Sequence, residues 1–451
     1  MRILETRKIK LTDQANLSYK KIVKFWIPIS ATWLMMAIEM PFLTAVIARL
    51  PNPEFNLAAF GVAYSIALIA ESPVMMALSA ATALVENKNT FLKLRNFIYT
   101  LNSLLAVLMV LFILPPVFNF FAYTLLQLPE GVANLTHTAI IFLIPWAPAI
   151  GYRRFYQGIL IRQKLTRYIA YGTIIRILSM AGSALIMFLF TGVNGVIIGA
   201  ASLSCGVIME AIAARVMSYN SVRKLYDGTV ASLREISFKE IYDFYLPLAL
   251  TSFISLGFQP LVTFFISHSK NALESLAVMP VLNSLVFLFR GFGLSIPEVV
   301  IALMGTKENY VKLKKSAVAL GVILVSALGI ISFTPLAQMW LVNISGLSIE
   351  LARFSLVPLM IYSIFPSLTV WMNFQRAVLI WGKNTNPLTK GIVIEISGMF
   401  MILFLGVNII DAPGIVAAVV AMVLGRLASN FYLISSFETT LRELKQINSL
   451  S

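Results

Sequence analysis

Charge is scarce in this chain. Asp, Glu, Lys and Arg make up 12% of its 451 residues, about half the ~25% of an ordinary soluble domain. Cysteine is nearly absent: Cys205 stands alone in an apolar stretch, which excludes a disulfide framework and any cysteine-rich metal site. The two histidines, His137 and His268, lie far apart and supply neither a metal centre nor a histidine-based triad. No GxxxxGK[ST] phosphate loop is present and no soluble domain is left to hold a nucleotide, which excludes ATP-driven pumping by this chain alone. No enzyme activity and no cofactor are expected, apart from a coupling H⁺ or Na⁺. Residues 1–24 are polar and basic, with no short apolar core before a small-residue cleavage site, so no cleavable signal is expected.

What fills the chain is hydrophobic: 59% of the residues, in continuous blocks such as 104–114, 177–190 and 415–424. About 20 mainly apolar residues cross a bilayer as a helix. Only helices or closed barrels satisfy the backbone there, and the blocks do not alternate as barrel strands would. The fold class expected is an all-α integral membrane protein of about twelve helices, at 22–49, 55–85, 96–118, 132–160, 168–191, 193–217, 240–268, 274–304, 314–334, 348–375, 386–406 and 413–438.

The formal net charge of +15 suggests nucleic acid until its placement is read. With the N-terminus inside, inside segments and span ends hold 29 of the 35 Lys and Arg residues. Outside segments hold Arg49, Lys270 and Arg353, and Arg176, Arg290 and Arg426 fall within spans. That asymmetry is the positive-inside pattern. It predicts cytoplasmic N- and C-termini, an even span count, the bilayer as partner and no nucleic acid. In a prokaryote the membrane expected is the cell (inner) membrane.

The chain repeats itself. Shifted by 219 residues, Phe25, Pro28, Pro41, Thr44, Leu57, Ala58, Ser65, Lys88 and Lys93 fall on Phe244, Pro247, Pro260, Thr263, Leu276, Ala277, Ser284, Lys307 and Lys312. Between Phe25 and Arg95, 16 of 71 positions are identical, where so biased a composition gives roughly five or six by chance. Six spans per repeat make the two halves parallel bundles related by an axis along the membrane normal, with a solute path between them. The division expected is a cytoplasmic N-terminal segment 1–21, an N-lobe 22–217, a flexible polar linker 218–239, a C-lobe 240–438 and a cytoplasmic tail 439–451.

Six charges fall inside spans: Glu39, Glu71, Arg176, Arg290, Glu395 and Arg426. Each costs at least about 2.5 kcal/mol at a helix centre, so each should meet another charge or a wet cavity. Under the shift Glu71 falls on Arg290 and Arg176 on Glu395, opposite signs both times. Three outcomes are open: ion pairs across the lobes that hold one face closed, a cavity that binds a zwitterion or an anion, or pairing within a lobe. Glu210 and Glu298, nearer span ends, are read as structural. Prolines at 41, 73, 145, 148, 260, 297 and 366 should kink their helices. Pro41 and Pro260 are repeat partners and so act as matched hinges, and Glu39 and Gln259 beside them should face the central cavity. The candidate cavity residues are Glu39, Glu71, Arg176, Gln259, Arg290 and Glu395.

Four stretches carry a family resemblance: Leu57-Ala58-Ala59-Phe60-Gly61-Val62-Ala63-Tyr64-Ser65, Tyr156-Gln157-Gly158-Ile159-Leu160, Phe244-Tyr245-Leu246-Pro247-Leu248-Ala249 and Tyr362-Ser363-Ile364-Phe365-Pro366. With the two six-helix lobes, they resemble the multidrug/oligosaccharidyl-lipid/polysaccharide (MOP) exporter superfamily. Within it the chain resembles the multidrug and toxic compound extrusion (MATE) transporters and, most of all, the progressive ankylosis (ANK-type) family. The resemblance implies a V-shaped pair of bundles, alternating access and ion-coupled export of a small organic solute, anionic if ANK-like, by a monomer. One MATE branch uses an acidic site in its first helix, for which Glu39 is the counterpart, although the local pattern departs from that family's. The alternatives are a flippase for a lipid-linked saccharide, which would want a more cationic cavity than six charges summing to zero, and an integral membrane transferase, for which no acidic or histidine cluster is seen.

Overall fold

The computed structural model describes residues 17–163, 165, 167–226, 235–382, 384 and 386–449. The expected N-terminal segment up to residue 16, linker residues 227–234 and the last two tail residues lie outside them. The chain is a multi-pass α-helical membrane protein. Among the described residues eleven helices are long and apolar enough to cross a bilayer. Their outward sides are apolar and bare: Leu178, Leu189, Phe190, Ile323 and Met401 are all exposed, a belt that water would penalise and lipid accepts.

The N-lobe runs α1 (Tyr19–Ala37), α2 (Glu39–Ile47), α3 (Pro53–Glu71), α4 (Ala77–Leu84), α5 (Lys88–Phe112), α6 (Glu130–Leu143), α7 (Trp146–Arg162), α8 (Arg167–Phe190) and α9 (Gly195–Met217). After a short α10 (Tyr219–Tyr226) the C-lobe runs α11 (Phe238–Leu256), α12 (Phe258–Ser267), α13 (Ala272–Leu294), α14 (Ile296–Leu303), α15 (Lys307–Phe333), α16 (Ile349–Tyr362), α17 (Phe365–Trp381), α18 (Asn386–Asn408) and α19 (Gly414–Ser449). The start of the linker is therefore a helix. α10 buries Ser221, Val222 and Leu225 against α5 and α7 of the N-lobe. The last helix runs on through the expected tail to Ser449. α5 and α15 begin earlier than the apolar runs suggested, because their basic first turns are helical and capped: Asn87 accepts from the amide of Thr90, and Thr306 from that of Asn309.

The 219-residue offset governs the backbone in detail. α1 breaks at Ile38 and α11 at Gly257, positions 219 apart. Each break lies three residues before Pro41 or Pro260, whose missing N–H cannot bond the carbonyl four residues back. Asn52 and Asn271 both sit in the left-handed region, at φ 54° and 55°, a conformation Asn tolerates better than most residues. A π-helical segment covers 120–125 and again 339–344. Pro73, Pro145, Pro297 and Pro366 likewise stand at breaks or helix starts, whereas Pro247, Pro280 and Pro358 lie inside unbroken helices.

The lobes meet along α3 and α13, where Gly61 lies against Pro280, its own repeat partner. That contact places the pseudo-two-fold axis between them. Away from the chain ends, apolar residues of both lobes form one continuous core. Towards the chain ends the core splits in two, and the lobes exchange their first helices. Leu17 and Ile22 join the C-lobe cluster, while Ile241 and Tyr245 join the N-lobe cluster.

Candidate functional site

Inter-lobe hydrogen bonds obey the same symmetry. On the side carrying the chain ends, Trp26 Nε1 of α1 donates to Ser295 Oγ at 2.8 Å and, at 3.4 Å, to the carbonyl of Phe292. The repeat partner of Trp26 is Tyr245, whose hydroxyl donates to the carbonyl of Pro73 at 2.7 Å, and Pro73 is the partner of Phe292. An aromatic donor on the first helix of each lobe thus grips the broken end of the second helix of the other. On the far side one residue bridges: Arg49 Nη2 donates to the carbonyls of Asn343 and Ile344 at 2.6 and 2.9 Å, at the end of the C-lobe π-segment.

The buried charges gather within each lobe. In the N-lobe Arg153 of α7 bonds Glu210 of α9, and Gln157 Nε2 donates to the other Glu210 oxygen at 3.0 Å. Arg176 of α8 reaches Glu210 at 3.5 Å and Glu39 of α2 at 2.5 Å. Glu71 and Arg154 complete the set, Glu71 lying within electrostatic range of Arg154, Arg153 and Arg176. Three carboxylates meet three guanidinium groups, and the cluster is neutral.

In the C-lobe Arg426 Nε donates to Glu395 at 2.8 Å and its Nη1 to Thr369 Oγ1 at 3.3 Å. Arg290 and Arg426 each place Cζ 4.8 Å from the ring centroid of Phe365. Arg376 of α17 lies within range of Arg426 and Glu395. Here one carboxylate, Glu395, is bonded by Arg426 alone, with Arg290 held on the Phe365 ring beside that pair.

Glycine sets the depth of both clusters. A Cβ on Gly206 would come within 2.9 Å of the Arg176 carbonyl oxygen, and one on Gly425 within 2.8 Å of the Glu395 carbonyl oxygen. The α8–α9 and α18–α19 pairs therefore approach closely beside Arg176 and Glu395.

The structure decides how the in-span charges pair. Among the described residues no ion pair joins the lobes through these side chains. Glu71 stays with the N-lobe arginines, Arg290 with the C-lobe aromatic and arginine groups, and Arg176 and Glu395 take partners in their own lobes. The cross-lobe pairing open in the sequence does not form, because equivalent positions both project into their own bundles. Gln259 is partly exposed at the start of α12, its carbonyl accepting from Thr263. Arg153, Arg154 and Arg376 were missed because apolar-run boundaries placed them at span ends, and Glu210, read as structural, is the carboxylate on which Arg153, Gln157 and Arg176 converge. With them the two clusters hold six arginines and four glutamates, of which the four glutamates and Arg153, Arg176 and Arg426 are buried and Arg154, Arg290 and Arg376 half-buried. Each histidine ring bonds a backbone carbonyl, His137 that of Ile113 just past the end of α5 and His268 that of Phe264 in α12, both at 2.8 Å.

The chain matches no family model and no curated sequence. Solved structures resemble it over nearly its whole length. The lipid II flippase MurJ in an inward closed conformation has a TM-score of 0.68 at 13% identity, covering 91% of this chain and 87% of that one. A MATE family multidrug resistance transporter of the MOP superfamily, outward-facing, has 0.61 at 14%, covering 94% and 96%. A MOP superfamily transporter from Pyrococcus furiosus, described as having a binding pocket of reverse polarity, has 0.60 at 14%, covering 97% and 99%. The fold is that of the MOP transporters.

Proposed function

We propose that this chain is a secondary transporter that exports a small organic solute by alternating access of its two lobes, coupled to an H⁺ or Na⁺ gradient. The observation that carries the reading is the inter-lobe contact. A symmetric pair of hydrogen bonds closes one side and one arginine the other, and both can open without unfolding either lobe. The broken helices at Pro41 and Pro260 supply matched hinges. Glu39, Glu71 and Arg176 form the N-lobe ion site of this reading, with Glu39 the first group to exchange a proton or Na⁺. Gln259, Arg290 and Glu395 serve the solute on the C-lobe. The termini are assigned to the cytoplasm, and in a prokaryote the membrane to the inner membrane. The ANK-type resemblance favours an anionic solute and a monomer.

Flux into proteoliposomes under defined Na⁺ and proton gradients tests this, with organic cations compared against pyrophosphate, citrate and nucleotides. Glu71→Gln and Arg290→Ala should each slow transport about tenfold or more. Wild-type rates in both would remove the site assignment. A second reading, a flippase for a lipid-linked saccharide, gains support from the fold shared with the lipid II flippase MurJ. It requires movement of a labelled lipid diphosphate between leaflets of the same vesicles, with no flux of soluble solutes.

A further inference from the structure

The N-lobe carries a groove on its lipid side. α7 packs against both α5 and α9 and floors a cavity of about 580 Å³ between them. Tyr99 and Asn102 of α5, Ala149 and Tyr152 of α7, and Ile208 and Arg215 of α9 line it, and every lining residue belongs to the N-lobe. Its outer edge on α9 is Ile212 and Val216, 52% and 68% exposed, members of the bare apolar belt. The groove therefore opens sideways into the bilayer.

Its polarity has a direction. Arg215 stands in the last turn of α9, at the membrane face that carries the chain ends. Ile208, two turns deeper, lies about 10 Å further along the helix axis. Tyrosines cluster at the charged end. Tyr99 and Tyr152 stack with ring centroids 5.6 Å apart, the Tyr99 and Tyr156 hydroxyls bond at 2.8 Å, and the Arg215 guanidinium lies 5.1 Å from the Tyr156 ring. That ring holds the cation in place. Among the described residues Arg215 meets no carboxylate within ion-pair distance, and no acid lines the groove. A cation and tyrosines at the membrane face, above an apolar slot that runs towards the midplane, match the headgroup, glycerol and acyl levels of one lipid molecule.

The other lobe shows that the scaffold does not need these groups. The repeat partners of Tyr99, Asn102, Tyr152 and Arg215 are Val318, Gly321, Trp371 and Ile434, so no cation, amide or hydroxyl remains at these four positions. Ala149, which leaves room in the groove floor, is replaced by Leu368.

We propose that this groove holds one anionic glycerophospholipid of the adjoining leaflet, its phosphate on Arg215, its glycerol backbone against Tyr99 and Tyr152, and one acyl chain along Ala149 and Ile208. Arg215 donates charge-assisted N–H bonds to the phosphate oxygens. A zwitterionic headgroup brings a cation of its own to a groove that has no acid to receive it, and binds less tightly. The site goes beyond the transport reading and needs only the bilayer around the chain. It also bears on the buried charges, because α7 and α9, which frame the groove, are the helices joined by Arg153, Gln157 and Glu210.

The test is native mass spectrometry of the full chain in detergent, titrated with phosphatidylglycerol or with phosphatidylcholine of the same acyl chains. Wild type should bind its first phosphatidylglycerol about fivefold more tightly than its first phosphatidylcholine, the effect of one basic residue at a lipid surface. Arg215→Gln should remove that preference. Ala149→Leu, which keeps every charge and fills the floor as the C-lobe does, should remove it too. Lys315→Gln, at an exposed basic position of the C-lobe, should leave it intact. A wild type that binds both lipids alike, a preference that survives Arg215→Gln or Ala149→Leu, or one lost equally in Lys315→Gln overturns the site. Should Arg215→Gln fail to fold, Ala149→Leu decides alone.

Discussion

At the scale of single residues, Glu210 is the hub of the N-lobe network, only 1% exposed and shared by Arg153, Gln157 and Arg176. Removing one member of a buried ion network leaves the others uncompensated, at a cost of about 3–5 kcal/mol. Glu210→Gln should therefore lower thermal stability steeply. The joint replacement Glu395→Met with Arg426→Leu, which removes both members of a pair, should cost much less. Melting of the purified variants in detergent decides between them, and equal losses would show that charge balance is not what holds these clusters. The sequence made half of this visible. Glu39, Arg176, Glu395 and Arg426 stood out as charges in apolar blocks, and all four are paired. Arg153 did not stand out, because an apolar-run boundary is blind to how far a polar residue reaches back into a bundle, and Glu210 stood out only as a structural acid near a span end. The helical stripe of Arg153 and Gln157, read beside its partner Met372 and Arg376, was the signal available.

At the scale of helices, the repeat is more faithful in backbone than in side chains. Breaks, π-segments and left-handed asparagines recur at the same offset, although few side chains are shared. Local backbone devices depend on one or two residues, such as Pro41 and Pro260 or Asn52 and Asn271, and survive when surrounding apolar residues are exchanged for one another. Gly206 and Gly425 are a further pair. Gly206→Ala and Gly425→Ala each put a methyl against a backbone oxygen at 2.9 or 2.8 Å. Each should destabilise by about 1–3 kcal/mol, the usual cost of overpacking, whereas Gly182→Ala, with nothing within 4 Å, should be neutral or slightly stabilising on helix propensity. Comparative melts of the three variants separate a packing cost from a generic effect of the extra methyl. The helical start of the linker was not legible, because a short polar segment carries little periodicity until Val222 and Leu225 are seen to be buried.

At the scale of the whole molecule, alternating access as proposed above would tie opening on one side to contacts made by Trp26 and Tyr245, and opening on the other to Arg49. Each hydrogen bond contributes about 0.5–1.5 kcal/mol, enough to move a balanced two-state equilibrium several-fold. Trp26→Phe with Tyr245→Phe keeps the rings and removes the donors, and should favour opening on the chain-end side. Arg49→Met should favour opening on the opposite side. Distances between spin labels placed on the two lobes, in a Cys205→Ser background, read the two shifts. Movement in the same direction would disconnect these contacts from the rocking of the lobes.

The in-span arginines also have an electrical meaning. Arg290 and Arg426 flank the Phe365 ring, and only Arg426 has a carboxylate, Glu395, bonded to it. An electric field acts on net charge, at ~2.3 kcal/mol per elementary charge per 100 mV over the full membrane. Any displacement of α13 along the membrane normal would therefore be felt as voltage dependence through Arg290, whereas the neutral Arg426–Glu395 pair would add none.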